Sequence, residues 1–144
     1  LLEGSMLASG QTGRTTAHLT YQLEEQFYKL QDSFNCEELR LYISSHKRGI
    51  ELIKENIDRE GIECDFTWVH GYLIPADNEQ PNILYKEQKA AKECGLDLKI
   101  KNTPLLKEGR MGLSFPHMAQ FHPLKYLAGL VKAFTDLGGE IYEN

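Results

Sequence analysis

The residues with the most legible chemistry lie between Leu1 and Thr20, in the stretch LLEGSMLASGQTGRTTAHLT. Two leucines and an acid, Leu1-Leu2-Glu3, lead into a loop poor in bulky side chains: Gly4, Ser5, Ala8, Ser9, Gly10 and Gly13. Thr12, Arg14, Thr15 and Thr16 follow, then Ala17 and His18. Glycines let backbone approach a ligand closely, because no Cβ intervenes and positive φ carries no penalty. Threonine hydroxyls and the free N–H groups that open a helix bind phosphate oxygens. A carboxylate at the end of a strand is the group that accepts hydrogen bonds from a ribose in dinucleotide folds. On residue types alone, an ordinary polar turn that caps a helix near Thr15 accounts for the same pattern, since short Gly/Ser/Thr runs recur by chance.

Histidines, aromatic residues and an arginine are further candidates. His18, His70, His117 and His122 are each a potential base, but none shows ligand spacing such as His-x-x-x-His on a helix, so no metal site is expected. The chain has no Gly-x-Ser-x-Gly elbow. His122 reads either as a cavity residue or as a strand-end residue that fixes the following Pro123. Tyr72 and Trp68 read as packing residues or, for Tyr72, as a substrate contact. Arg14 suits a phosphate by type and equally suits an exposed loop. No catalytic residue can be named.

The elements that would position these groups follow from periodicity. Leu23, Phe27, Leu30 and Phe34 predict an amphipathic helix over 21–34. Asn35 followed by Glu38 predicts a break with a capping box. A longer helix from Glu37 to Glu60 carries the stripe Leu39, Ile43, His46, Ile50, Ile53 and Ile57 and stops at Gly61. From Ile62 the period becomes two. Cys64, Phe66 and Trp68 predict one strand and 69–74 a second, joined near His70-Gly71, with Pro75-Ala76-Asp77-Asn78 as the closing turn. A helix over 82–94 ending at Gly95 and a strand over 96–100 come next. A loop from Thr103 to Gly109 leads to two strands, 112–116 and 118–122. Pro123 opens a final helix to Leu137, and Gly138-Gly139 leads into a last strand.

Composition bounds the function. With 41% hydrophobic and 26% charged residues the chain reads as a globular domain, and 144 residues can bury a real core. A net charge of −5 offers no basic face for nucleic acid. No apolar run has the length of a membrane span. Cys36, Cys64 and Cys94 are odd in number and far apart, which predicts reduced thiols in a cytoplasmic protein, not a disulfide framework.

Two segments together resemble a known family. LLEG, a short loop and ASGQTGRTTAHLT are similar to the second-strand-to-helix passage of the FAD-dependent amino acid oxidases, a family that includes glycine, sarcosine and D-amino acid oxidases. AQFHPLKYLAGLVKAFTDLGGEIYEN, Ala119 to Asn144, resembles that family's return passage. The nearest likeness is to a bacterial subgroup with a C-terminal Rieske domain. The resemblance implies an α/β plus α+β architecture. Partial Rossmann-like, glutathione-reductase-type elements stand at 1–20 and 120–144; a helical pair (21–61) and an α+β substrate or cap portion (62–119) lie between.

It implies FAD as cofactor, held by Glu3 on the adenosine ribose and by Gly4, Ser9, Gly10, Gly13, Arg14, Thr15, Thr16 and Ala17 along the pyrophosphate and flavin. His18, Tyr72 and His122 are the substrate-side candidates, for a small-molecule amine or amino acid oxidised at a C–N bond by hydride transfer to flavin. A [2Fe–2S] cluster is implied only for a domain outside this chain. No Gly-x-Gly-x-x-Gly turn stands before Leu1, so the chain is expected to be a central fragment. The competing reading is a cofactor-free α+β module that packs or oligomerises through the stripe Leu39 to Ile57.

Overall fold

A computed structural model describes residues 1–22, 25–76, 82–104 and 109–143. In chain order these form β1 (Leu2–Glu3), a 3-10 turn (Gln11–Arg14), β2 (His18–Leu19), α1 (Phe27–Leu30), α2 (Cys36–Glu60), β3 (Thr67–Leu73), α3 (Asn82–Glu93), β4 (Lys99–Asn102), β5 (Met111–Gln120), α4 (Pro123–Asp136) and β6 (Tyr142–Glu143). The architecture is mixed α/β. β1 and β6 pair in parallel, with Leu2 opposite Tyr142 and Glu3 opposite Glu143. The larger sheet is built on β5, which runs antiparallel to β2 (His18 opposite Gln120) and to β4 (Lys99 opposite Ser114) and has β3 as its other neighbour.

The chain divides into two compact units. One comprises Leu1–Leu19, Gly49–Trp68 and Ala119–Asn144; the other comprises Thr20–Arg48 and Val69–Met118. The first is centred on Ile57, Ile62 and Cys64, with Ile53, Phe66, Phe121, Tyr126 and Leu130 packed around them. Tyr126 of α4 is tied to α2, where Asn56 Nδ2 donates to its hydroxyl at 3.1 Å. The second buries Tyr21, Phe27, Leu39, Ile43, Leu84, Ala90, Ala91, Leu98, Leu113, Phe115 and Met118. Burying each large apolar side chain there is worth about 1.5–3 kcal/mol.

Local chemistry explains the helix ends. Asn35 Oδ1 accepts from the amides of Glu37 and Glu38 at 2.9 and 3.0 Å, and Glu38 Oε2 accepts from Asn35 N at 2.9 Å. That is the reciprocal capping box the Asn-x-x-Glu spacing predicts. Gly61, at φ +62°, ends α2, since a left-handed residue turns the chain out of the helix most easily without a Cβ.

Several expectations are corrected. The helix expected over 21–34 is a single turn, Phe27–Leu30. Tyr21 is instead core: its ring is buried, its hydroxyl donates to the Pro116 carbonyl at 2.7 Å, and burial pushes its pKa up to about 12. Gln26, extended at ψ 145°, delays the helix start. Leu23, part of the expected stripe, lies outside the described residues, as do Asp77 and Asn78 of the expected turn and residues 105–108 of the expected loop.

His46 is exposed, not packed. Its ring stacks on Tyr42 at 4.3 Å and its Nδ1 lies 3.0 Å from the Tyr42 carbonyl oxygen. β3 runs unbroken through His70-Gly71, starting only at Thr67, because Asp65 at φ 55° bends the chain just before it. The two strands expected over 112–122 are one, β5, which absorbs a left-handed His117 (φ 58°) without ending. β4 begins at Lys99, later than expected. Cys36 and Cys94 are joined in a disulfide, while Cys64 is free and buried. Fifty-eight residues separate the pair, so spacing hid it; the first residue of α2 and the residue after α3 meet with Cα atoms 4.7 Å apart.

Candidate functional site

The first unit assembles the glycine- and threonine-rich loop. β1 and β6 form the base: Leu1 N donates to Glu140 O at 2.7 Å and Tyr142 N to Leu1 O at 3.0 Å. Glu3 closes β1, half-buried, and its carboxylate has no hydrogen-bond or ion-pair partner among the described residues. The chain then turns. Leu7 N donates to the carboxylate of Glu143, Ser9 N to Met6 O at 3.0 Å, and Ser9 Oγ to Ser5 Oγ at 3.2 Å. Ala8 takes a left-handed φ of 63°.

After the 3-10 turn, Thr15 is extended (ψ 163°) and Thr15 Oγ1 accepts from Ala17 N at 2.8 Å. Ala17 is left-handed at φ 59°, and its carbonyl accepts from Phe121 N at 3.3 Å, which brings the loop onto the end of β5. This corrects one premise. Thr15 and Thr16 do not open a helix; they follow the short turn that ends at Arg14. No helix N-terminus stands behind their N–H groups, so the groups they could offer an anion are the two hydroxyls, beside the Arg14 guanidinium.

Across from them lies the start of α4. His122 N donates to the Cys64 carbonyl at 2.7 Å, and the His122 ring caps the helix, with Nδ1 accepting from Lys125 N at 3.3 Å. That acceptor role places the proton of the neutral ring on Nε2. Pro123 occupies the first helical turn, where its missing N–H costs nothing. Lys125 Nζ reaches back to Asp65 Oδ2 at 2.7 Å, and this bond holds the Asp65 carboxyl below its usual range. Gly13, Thr15, Thr16 and Ala17 face His122, Pro123 and Leu124 across an open cavity of about 410 Å³, which Asp65, Gln120 and Phe121 complete.

The donor set suits a ribose and a diphosphate. Glu3 offers an unclaimed carboxylate for a diol, and Arg14, Thr15 and Thr16 offer a cation and two hydroxyls for phosphate oxygens. The glycines leave room: beyond Gly4 and Gly10 a Cβ would meet nothing within 4 Å, while at Gly13 it would stand 3.5 Å from the Ala8 carbonyl and 3.6 Å from Leu124. Of the substrate-side candidates, His122 borders the cavity. His18 is exposed on β2, opposite Gln120. Tyr72 belongs to the second unit, where its ring lies 6.4 Å from that of His70 and 5.8 Å from Lys101 Nζ. The Asp65–Lys125 pair has no sequence signal: sixty positions separate its members and nothing in either neighbourhood points to the other.

This loop stands on a parallel strand pair, and comparison with known proteins gives the class. Over residues 1–144 the chain belongs to the DAO family of FAD dependent oxidoreductases. It is 30% identical over 144 residues to the Rieske 2Fe-2S iron-sulfur protein YhfW of Bacillus subtilis, covering 99% of this chain and 28% of that protein. It is 27% identical to the oxidoreductase OrdL of Haemophilus influenzae and 26% identical to gamma-glutamylputrescine oxidoreductase of Escherichia coli, in each case over 99% of this chain and 35% of the relative. The chain thus spans about a third of the length of these relatives. No solved structure matches it.

Proposed function

We propose that this chain carries part of the FAD-holding apparatus of an enzyme that oxidises a C–N bond of a small amine or amino acid. The observation that carries the reading is the placement of Glu3: it ends a strand paired in parallel with β6 and opens directly into the Gly/Ser/Thr loop that folds back onto β5 and α4. In this reading Glu3 accepts both ribose hydroxyls, while Arg14, Thr15 and Thr16 share the diphosphate charge. Gly10 and Gly13 let the backbone come close, and Ser9 and Ala17 line the path toward the flavin ring. When bound, FAD supplies the two-electron acceptor for a hydride leaving the substrate carbon. Orientation of the two reactants then supplies much of the rate, so no acid–base dyad is required of this chain.

The amine or amino acid class is supported by the relative named for gamma-glutamylputrescine, and a further redox centre outside these residues by the relative named for a Rieske cluster. The test is FAD affinity in the full-length protein. Glu3→Ala removes charge-assisted hydrogen bonds worth about 1.5–3 kcal/mol each, so the FAD dissociation constant should rise at least about tenfold. Lys92→Ala, on the exposed side of α3, should leave it unchanged. Equal affinity in the two variants would reduce the loop to an ordinary turn.

A further inference from the structure

We propose that Cys36–Cys94 is a reversible thiol–disulfide clasp, opened by low-molecular-weight thiols and closed by low-molecular-weight disulfides, whose state sets the stability of the second unit. This does not depend on the flavin reading. The bond joins the first residue of the 25-residue α2 to the residue that follows α3. The two residues differ in access: Cys94 is 1% exposed, whereas Cys36 is half-buried. Cys36 Sγ is therefore the atom an incoming thiolate reaches.

Three features around the bond stabilise the open form. Cys36 stands at the positive end of a long helix, whose dipole favours a thiolate even though Asn35 Oδ1 caps the Glu37 and Glu38 amides. Gln31 Nε2 lies 3.8 Å from Cys36 Sγ and 3.7 Å from Cys94 Sγ, an amide donor shared by both sulfurs. Arg40 sets its guanidinium against the same corner, with Nε donating to the Cys94 carbonyl at 2.9 Å and Nη2 to the Glu93 carbonyl at 3.4 Å. Stabilising the thiolates makes a disulfide easier to reduce. Glu37, Glu38 and Glu93 oppose this from the same corner, Glu93 as an acceptor from Gln31 at 3.2 Å.

The exchange balances without any further reactant. A thiolate attacks Cys36 Sγ, forming a mixed disulfide, while the Sγ–Sγ bond breaks and Cys94 leaves as thiolate and takes a proton from water. A second thiol then attacks the mixed disulfide and frees Cys36. Two small thiols are oxidised to one small disulfide as the protein disulfide is reduced to two thiols, and excess small disulfide drives the reverse.

The experiment is redox titration of the folded full-length protein in glutathione buffers, quenched by alkylation, with the peptides holding Cys36, Cys64 and Cys94 read separately by mass spectrometry. The expected result is that Cys36 and Cys94 change state together within the glutathione range, while Cys64 stays reduced. Arg40→Gln should shift that midpoint toward the disulfide by roughly two- to fivefold, the range an exposed charge supplies; Gln31→Ala should shift it the same way. The thermal midpoint should rise with oxidation in the wild type and in Cys64→Ser, and lose its redox dependence in Cys36→Ser. A bond absent even in oxidised glutathione would overturn the proposal. So would one that persists in fully reduced glutathione, or a thermal midpoint indifferent to the buffer.

Discussion

Glu87 sits on α3 with its carboxylate turned onto the amides that begin α1, Phe27 N at 2.9 Å and Tyr28 N at 3.3 Å. It is 2% exposed. Burial raises its pKa, and the two N–H bonds oppose that without cancelling it. Because the folded pKa lies above the unfolded value of 4.5, the folded chain holds this proton longer than the unfolded one. The contribution is complete below the unfolded pKa and is lost as pH rises through the folded one. Urea unfolding midpoints of the wild type should therefore carry a falling component from about pH 4 upward, absent in Glu87→Gln. Glu87→Ala strands both amides and should cost about 1–3 kcal/mol. Nothing in the spacing around Glu87 marked it as buried, since its partners lie sixty positions upstream; the place of Glu3 at a strand end was legible because its strand and loop are its own neighbours in the chain.

Among the elements, ends were easier to read than lengths. Asn35, Gly61, Gly95 and Pro123 act within one turn of themselves, so their residue types announced the boundaries they make. The extent of β5 depended on a left-handed His117 that no periodicity reports, and the shortening of α1 on a tyrosine drawn into the core from outside the helix. Asn35→Ala should cost about 1 kcal/mol by removing the cap of α2, measured by chemical denaturation. Gly129 of α4 makes a sharper test. A Cβ there would lie 2.6 to 2.9 Å from the Cγ2, Cγ1 and Cδ1 atoms of Ile62, two of which branch directly from its Cβ, so relief takes a χ1 change of a buried, β-branched side chain or a backbone shift. Alanine's helix preference is worth about 1 kcal/mol, against about 1–3 kcal/mol for overpacking. Gly129→Ala should be net destabilising, seen as a lower thermal midpoint; a rise would show that α4 can shift on Ile62.

At the scale of the whole molecule, the chain passes between its two units at residues 19–20, 48–49, 68–69 and 118–119, and the last three passages fall inside α2, β3 and β5. No single cut separates the units, and each depends on elements continuous with the other. Unfolding followed by Trp68 fluorescence, from the first unit, should therefore coincide with unfolding followed by helical circular dichroism. Two resolved transitions would show the units to be independent. Among the described residues no helix is long and apolar enough to cross a membrane. The division into units was only partly legible: the two end segments announced each other by resemblance, but the inclusion of 49–68 with them reflects packing of Ile57, Ile62 and Cys64 that no local pattern encodes.

The pairing of β1 with β6 also has a consequence in time. Leu1 and Glu140 meet across 139 residues of chain, and so distant a contact forms only after loop-closure entropy has been overcome. Local turns such as the Asn35 box close far sooner. The strand that presents Glu3 should thus be ordered late, on the native side of the folding barrier. Tyr142→Ala should accelerate unfolding while leaving the refolding rate nearly unchanged, a φ-value near zero read from the two arms of a chevron. Refolding slowed in proportion to the lost stability would instead place this strand pair in the folding nucleus.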